Sequence, residues 1–185
     1  NLFLVASKKS AGKKLKFNNK EIVIEQLEEY DFSKAEITVF AAGSEVAKNW
    51  VPKAAEKTIV IDNSKYFRMD KDVPLVVAEV NPEDLKKHKN IIANPNCSTA
   101  QLVIVLKPLH EILKIKRVIV STYQSTSGAG KASMDELLEQ TKKFLNKEKI
   151  RSKNFTKQIA FNAIPHIDKF ISDGYTKEEV KMINE

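Results

Sequence analysis

The sequence contains one cysteine among its 185 residues, and this scarcity restricts how the fold can be held together. A lone thiol cannot form an internal disulfide, which excludes a disulfide-stapled secreted scaffold and favours a reducing cytoplasm. No apolar run approaches the ~18 residues that a membrane-spanning helix needs, and no signal-peptide pattern is present. We therefore expect a cytoplasmic protein without a membrane partner.

Arginine is scarce too, since Arg68, Arg117 and Arg151 are the only arginines among 31 basic residues. The formal net charge of +7 makes a nucleic-acid partner worth considering. The lysines are scattered among 24 acidic residues, however, and base recognition favours arginine. The charge therefore indicates a solvated lysine surface with a bias toward anionic small molecules, and no nucleic acid. The rival interpretation, a basic nucleic-acid-binding module, predicts steeply salt-dependent binding.

In the first half of the chain, short apolar runs alternate with helical patterns, which is typical of an α/β fold with a doubly wound parallel sheet. Helices are predicted over 45–57, with Pro52 at a kink or in the first turn, and over 82–87, with Asn81 as N-cap. The predicted strands lie at 2–5, 21–25, 37–41, 58–61, 75–80 and 91–93.

In the second half of the chain, the sequence pattern predicts helices and strands that do not alternate regularly. Apolar residues keep a helical period over 100–113 and again over 134–145. Thr176 followed by Glu179 forms a capping box, which predicts the start of a further helix. Strands are predicted at 117–123 and 159–164, and a charged surface loop at 146–157.

Cys97 lies in the stretch 94–99 (NPNCST), between an apolar run and a helical pattern. This order predicts a strand, a tight turn and a helix whose N-terminus bears the thiol. Unpaired backbone N–H groups and the positive end of the helix dipole favour the thiolate, which is the nucleophilic form. A small buried hydrophobe is the commoner fate of a lone cysteine, but polar Asn96, Ser98 and Thr99 argue against it here.

Several predicted strands end in loops that suit an anionic ligand. Ser7, Lys9 and Ser10 lie in a basic, hydroxyl-bearing loop, which fits a phosphate group about as well as it fits an ordinary surface loop. Asn63 follows the strand at 58–61, at the sheet edge where such folds bind ligands. Gly43 follows another predicted strand and is a further candidate position for a cofactor.

The remaining candidate site residues each have a functional and a purely structural interpretation. Arg68 suits bidentate binding of an anion, although a surface arginine is the simpler interpretation without further context. Gln124 is placed to orient a substrate or a water, and Gly128 to let the backbone approach a ligand, unless this loop is merely flexible. Glu178 and Lys181 share a helix face, as an exposed ion pair or as a pair that binds a charged substrate.

Six motifs follow one another along nearly the whole chain. They are the loop at 6–13, FRM and DVPLV within 67–76, NPNCST at 94–99, STYQ and SGAG within 121–130, AFN and IP within 160–165, and the stretch 173–181. Together and in this order they resemble the aspartate-semialdehyde dehydrogenase family. The resemblance implies a partial Rossmann-like NADP-binding domain over 1–96, followed by an α+β catalytic and dimerisation domain over 97–185.

The resemblance implies three groups of site residues. The catalytic residues are Cys97, as the nucleophile, and Gln124, as its orienting partner. The residues that bind phosphate or substrate are Arg68, Asn96, Lys181 and, for the substrate amino group, Glu178. The residues that bind NADP are Ser7, Lys9, Ser10, Gly43, Asn63 and Gly128.

Position 9 bears on the choice of coenzyme. Lys9 stands where the family often has arginine, so the charge is kept but the bidentate fork is lost. A basic, hydroxyl-bearing strand end without an acidic residue still fits NADP better than NAD. The resemblance therefore implies NADP as the cofactor.

The resemblance also implies a reaction, the interconversion of aspartate 4-semialdehyde plus phosphate with 4-aspartyl phosphate through a cysteine thioester. This step belongs to lysine, diaminopimelate, threonine and methionine biosynthesis, and the family forms homodimers or tetramers. N-acetyl-glutamyl-phosphate reductase is an alternative of the same class, but Glu178 with Lys181 suits a free amino acid and favours the semialdehyde. A non-catalytic domain that keeps the fold for assembly is a third interpretation.

Two features of the family are absent from the sequence. No Gly-rich dinucleotide turn precedes the segment at Asn1, and no arginine and general-base histidine follow the position of Glu185. His88, His110 and His166 lie in a different context, and we interpret them as structural or surface residues. We therefore expect this chain to be a fragment of the enzyme.

We predict that the 185-residue polypeptide alone lacks full dehydrogenase activity, because the phosphate-cradling turn and the general base are missing from it. The measurement is a dehydrogenase assay with aspartate semialdehyde, phosphate and NADP. Appreciable turnover by this polypeptide would refute the expectation.

Overall fold

The computed structural model describes residues 1–171 and 173–185 and divides into two compact units. The first comprises Asn1–Pro108 together with Glu185, and the second comprises Leu109–Asn184. The boundary expected from the sequence, after residue 96, separates an NADP-binding part from a catalytic part. It stays a prediction, because it divides the chain by role and the two units divide it by compactness.

The first unit begins with a mixed three-stranded sheet. Strand β1 (Leu4–Ala6) pairs in parallel with β3 (Lys20–Gln26), and β2 (Lys14–Phe17) pairs with β3 as an antiparallel hairpin. Both residues of the hairpin turn, Asn18 and Asn19, have positive φ, which asparagine tolerates better than most residues. The sequence did not predict β2, because this short strand is exposed on both faces and shows no buried apolar alternation.

A parallel sheet forms the rest of this unit. Its strands β4 (Ile37–Phe40), β5 (Ile59–Asp62) and β6 (Ile91–Ala93) lie in this order, and helix α1 (Ser44–Ala55) connects the first two. The buried core on this sheet comprises Phe40, Ala47, Val51, Ala54, Val60, Phe67 and Ala93, joined by Tyr30 and Phe32. The predicted α/β class with parallel strands is confirmed, although β1 lies in the other sheet.

The predicted strand at 75–80 is wrong. Only Leu75 forms a parallel bridge, to Ala93, and a turn follows at once. The side chain of Asn81 explains this turn, since its Oδ1 accepts from Val77 N–H at 2.9 Å and its Nδ2 donates to the Leu75 carbonyl at 3.0 Å. These bonds engage backbone groups that a sheet ladder would need. The predicted helix after Asn81 is a 3₁₀ helix, Pro82–Lys87, and Asn81 does not cap it with its side chain.

Helix α2 (Cys97–Leu113) follows β6 after a three-residue turn. The predicted helix over 100–113 is confirmed, and so is the prediction that Cys97 lies at its N-terminus. Pro108 lies inside α2, as Pro52 lies inside α1.

The second unit contains a 3₁₀ helix (Thr126–Ala129), α3 (Lys131–Leu145) and α4 (Lys177–Asn184). The strand predicted at 117–123 is wrong, although its residues favour extended backbone. Within the described residues no strand pairs with this segment, and Ile119 and Tyr123 are 84% and 95% exposed. Composition alone cannot form a strand, because the ladder hydrogen bonds need a second backbone.

The strand predicted at 159–164 is also wrong, and a buried side chain of α3, Gln140, explains why. The Gln140 Oε1 atom accepts from the backbone N–H groups of Ile159 and Ala160, at 2.8 and 3.2 Å. The Glu136 carboxylate accepts from the N–H groups of Lys153 and Asn154, at 2.9 and 2.6 Å. Gln140 thus replaces a strand as the partner of the segment 159–164, and Glu136 anchors the loop before it. The predicted surface loop at 146–157 does lack helix and strand.

No helix in the described part of the chain is both long enough and apolar enough to span a membrane.

We predict that Gln140→Ala accelerates hydrogen exchange at the amides of Ile159 and Ala160. Gln140 is 2% exposed, so its loss leaves the half-buried N–H of Ile159 and the buried N–H of Ala160 without their acceptor. The expected cost is about 2 kcal/mol, which corresponds to ~30-fold faster exchange if opening is local. Glu139→Ala, on the same helix but bonded only to lysines, is the matched control and should leave both amides unchanged. Equal protection in Gln140→Ala and the wild type would contradict the anchoring role.

Candidate active site

Cys97 is the first residue of α2 and its side chain is exposed. Asn96 caps this helix, because its Oδ1 accepts from the Ser98 N–H at 2.8 Å and its carbonyl accepts from the Ala100 N–H at 2.9 Å. Asn96 is itself only 7% exposed. The thiol therefore lies in the first turn of a fixed helix, where backbone N–H groups have no intrahelical acceptor.

Three sequence-predicted residues follow parallel strands of one sheet. Gly43 follows β4 and caps α1 with its carbonyl, which accepts from the N–H groups of the next turn. Asn63 follows β5, and Cys97 follows β6 after the turn. Because the carboxyl ends of parallel strands meet at one edge, these residues share the edge at which such sheets bind ligands.

A buried aspartate shapes the loop that follows β5. The fully buried Asp62 accepts from the backbone N–H and the hydroxyl of Ser64, at 3.0 and 2.7 Å. The Ser64 hydroxyl oxygen in turn accepts from the Tyr66 N–H at 3.1 Å. The structure shows that Asp62 orients the loop leading to Arg68.

The Arg68 guanidinium forms hydrogen bonds with two other residues of the first unit. Its Nη1 donates to Glu185 Oε1 at 2.9 Å, and its Nη2 donates to the Asn63 carbonyl at 3.2 Å. The other carboxylate oxygen of Glu185 accepts from the Asn96 N–H at 2.5 Å. The structure therefore brings together Asn63, Arg68 and Asn96, and adds Glu185, which sequence reasoning missed because no pattern around the last residue indicated a partner.

Two buried polar atoms in the described residues have no hydrogen-bond partner, Arg68 Nε and Thr99 Oγ1. Thr99 is 3% exposed and lies in the first turn of α2, two residues after Cys97. Unsatisfied buried polar atoms are rare in native proteins, and each calls for a reason. Thr99 lies in the first turn of α2, and Arg68 is joined through Glu185 to Asn96, which caps that turn.

The loop after β1 bears Ser7, Lys9 and Ser10. The Ser7 carbonyl accepts from the N–H groups of Ser10 and Ala11, at 2.8 and 3.2 Å, and forms a compact turn. Ser7 and Lys9 are exposed, and Ser10 is half-buried. Gly12 ends the turn with φ +81°. Hydroxyl and ammonium groups without a carboxylate in the turn form a donor set that fits a phosphate group.

In the second unit, Gln124 and Gly128 are in direct contact. A Cβ atom on Gly128 would lie 2.5 Å from Gln124 Nε2 and 2.6 Å from its Cδ. The close approach expected at Gly128 is therefore made to the Gln124 side chain, which any larger residue would displace. The absence of a side chain at Gly128 thus leaves room for the predicted catalytic amide.

Glu178 and Lys181 also meet in the second unit. Lys181 Nζ lies 2.6 Å from Glu178 Oε2 and 3.6 Å from Asp168 Oδ2, and the Lys181 side chain is 23% exposed. Burial lowers the pKa of Lys181, but the hydrogen bond and charge of Glu178, with Asp168, outweigh it and hold the pKa above its usual 10.5. Lys181 is therefore cationic at neutral pH and already faces two carboxylates.

The helix that bears this pair begins with the predicted capping box. Thr176 donates its backbone N–H and its hydroxyl to Glu179 Oε2, at 2.5 and 2.9 Å, and its hydroxyl oxygen accepts from the Glu179 N–H at 3.3 Å. The capping box is therefore confirmed. It fixes the start of α4 and with it the face that Glu178 and Lys181 share.

Comparison with known proteins gives two matches to family models and many to whole proteins. Residues 1–88 match the model described as semialdehyde dehydrogenase, NAD binding domain, and residues 106–185 match the model described as semialdehyde dehydrogenase, dimerisation domain. Aspartate-semialdehyde dehydrogenase from Aquifex aeolicus is 53% identical over 189 residues, which covers 100% of this chain and 56% of the relative. Aspartate-semialdehyde dehydrogenase 2 from Vibrio cholerae is 52% identical and covers 98% of this chain and 55% of the relative.

A solved structure agrees with this sequence similarity. The crystal structure of aspartate semialdehyde dehydrogenase II from Vibrio cholerae, complexed with ASA, superposes with a TM-score of 0.94 at 51% identity. It covers 98% of this chain, which in turn covers 55% of that structure. The chain therefore spans about half the length of the relatives that it matches.

We predict that Glu179 titrates below its usual 4.5, because hydrogen bonds from the backbone N–H and then the hydroxyl of Thr176 stabilise its carboxylate and lower its pKa. The stabilisation of α4 is then present above that usual value and is lost as the pH falls through the lowered pKa. A ¹³C NMR titration of the carboxyl group is the measurement. Thr176→Ala keeps the backbone donor and should move the midpoint part of the way back, while Thr156→Ala should not move it. A midpoint at or above the usual value would rule out the capping role.

Proposed function

The chain belongs to the aspartate-semialdehyde dehydrogenase family, and from that premise we propose that it supplies the nucleophile for the interconversion of aspartate 4-semialdehyde plus phosphate with 4-aspartyl phosphate. The observation that supports this most is the exposed Cys97 at the start of α2, whose cap Asn96 is joined through Glu185 to Arg68. A thiol and an unsatisfied arginine donor at one sheet edge suit a reaction that joins a carbonyl to phosphate.

The first step is addition of the Cys97 thiolate to the aldehyde carbon. A carbon–sulfur bond forms and the carbonyl electron pair moves to oxygen, which becomes an alkoxide. The N–H groups of Cys97 and Thr99 belong to the first turn of α2, where they can stabilise this oxyanion. Ser98 is excluded as a donor, because its N–H is bonded to Asn96. Gln124 orients the aldehyde in this proposal.

The second step needs a hydride acceptor. A bound nicotinamide coenzyme would supply this hydride acceptor, and loss of hydride from the adduct would leave a thioester on Cys97. Ser7, Lys9 and Ser10 would hold the 2′-phosphate of NADP, which their hydroxyl and ammonium groups fit, and Gly43, Asn63 and Gly128 would bind the rest of the coenzyme. We propose NADP over NAD because this turn has a cation and lacks a carboxylate.

The third step transfers the acyl group to phosphate. A phosphate oxygen attacks the thioester carbon, and the Cys97 sulfur leaves with the electron pair as thiolate. Arg68, Asn96 and Lys181 bind the phosphate in this proposal, and Glu178 binds the substrate amino group. A thioester suits the step because it keeps the acyl group reactive until phosphate arrives.

Membership of the family supports further proposals about assembly and pathway. The match of residues 106–185 to a dimerisation domain supports a homodimer, or a tetramer built from dimers. The Vibrio cholerae relative was crystallised in complex with ASA, which supports aspartate semialdehyde as the substrate class.

The proposed reaction belongs to lysine, diaminopimelate, threonine and methionine biosynthesis. A single thiol that must stay reduced to act supports a cytoplasmic location.

The test is an assay of the product of the complete reading frame that encodes this chain, with aspartate semialdehyde, phosphate and either coenzyme. We expect turnover, faster with NADP than with NAD. Cys97→Ala should lower kcat on the order of 10³-fold or more, because the variant lacks the nucleophile that forms the thioester. Thermal unfolding of the variant controls for folding. Wild-type protein without turnover, or a folded Cys97→Ala variant with ordinary turnover, would contradict the proposal.

A further inference from the structure

The Glu185 carboxylate joins two elements of the proposed site. One oxygen accepts from Arg68 and the other from the backbone N–H of Asn96, and the side chain is 3% exposed. Asn96 immediately precedes Cys97 in the sequence. Glu185 thus connects the buried guanidinium to the backbone one residue before the nucleophile.

The Arg68 guanidinium is held at both of its terminal nitrogens. Nη1 donates to Glu185 and Nη2 donates to the Asn63 carbonyl, while the side chain is 10% exposed. Nε–H is the nitrogen that has no protein acceptor. A guanidinium fixed in this way holds its remaining N–H donors in one orientation, whereas a mobile arginine would present several.

We propose that Glu185 is a positioning residue for the phosphate subsite. By binding Arg68 and Asn96 together, it fixes both the guanidinium that would bind the phosphate and the backbone at the start of α2. This inference rests on the proposed function, because it assigns a residue to the phosphate that the function requires. It does not require Glu185 to touch the substrate.

A role in which Glu185 blocks the phosphate subsite predicts the opposite effect on phosphate binding. If its carboxylate merely occupied the place of the phosphate, removing the negative charge would free Arg68 and tighten phosphate binding. If Glu185 positions Arg68, removing the charge leaves the buried guanidinium without its partner and misaligned, and phosphate binding weakens. The direction of the change therefore separates the two roles.

The experiment uses the product of the complete reading frame and the variants Glu185→Gln and Glu185→Asp. Binding of inorganic phosphate is measured by isothermal titration calorimetry, which needs no turnover. We expect Glu185→Gln to weaken phosphate binding about tenfold or more, as losing a charge-assisted hydrogen bond does. Glu185→Asp keeps the charge on a shorter side chain and should fall between that variant and the wild type.

Steady-state kinetics provides the second measurement. The KM for phosphate should rise about tenfold in Glu185→Gln, while the KM for the semialdehyde stays within about twofold. In an Arg68→Gln background, Glu185→Gln should cost less than it does beside Arg68, because the residue acts through Arg68. Glu21→Gln, which removes an exposed ion pair with Lys14, is the matched control and should change neither constant.

Three outcomes would overturn the inference. They are tighter phosphate binding in Glu185→Gln, unchanged phosphate binding and kinetics, and a lower melting temperature as the only change. If Glu185→Gln does not fold, Glu185→Asp decides by the same measurements. Wild-type protein that binds phosphate but does not turn over would contradict the proposed function and leave the calorimetric test of Glu185 standing.

Discussion

The hydrogen bond from the Ser98 N–H to Asn96 Oδ1 fixes the residue at which α2 begins, and the position of Cys97 follows from it. Parallel pairing of β6 with β5 brings the chain to the carboxyl edge of the sheet, where it must turn. An asparagine cap at that turn places the next residue in the first helical turn, with its side chain exposed. A lone cysteine therefore becomes an accessible thiol among unpaired backbone donors.

The cations that the family resemblance assigns to phosphate are both compensated by carboxylates. Arg68 is paired with Glu185, and Lys181 with Glu178 and Asp168. Such pairing keeps buried cations charged and oriented, at the cost of lowering the net positive charge offered to an anion. Affinity for phosphate in the proposed reaction then depends on donor geometry more than on net charge, so the fixed orientation of the Arg68 guanidinium is important.

The sequence predicts the elements that local chemistry determines. The strand–turn–helix around Cys97 and the capping box at Thr176 and Glu179 depend on neighbours in the chain, and both are present. The predicted strands at 75–80, 117–123 and 159–164 fail because a strand needs a partner, and partners are decided by tertiary structure. The side chains of Asn81 and Gln140 form hydrogen bonds with backbone groups of two of these segments, and no sequence periodicity reveals such contacts. The contacts of Glu185 cannot be predicted for the same reason, since its partners lie 117 and 89 residues away in the sequence.

The central claim is that Cys97 forms a thioester with the substrate, and trapping that species tests it most directly. The product of the complete reading frame is incubated with aspartate semialdehyde and NADP without phosphate, quenched in acid, digested and examined by mass spectrometry. We predict one aspartyl group on the peptide that contains Cys97, which disappears when phosphate is added before the quench. An unmodified Cys97 peptide, or an acyl group on another residue, in a preparation that turns over with phosphate would contradict the claim.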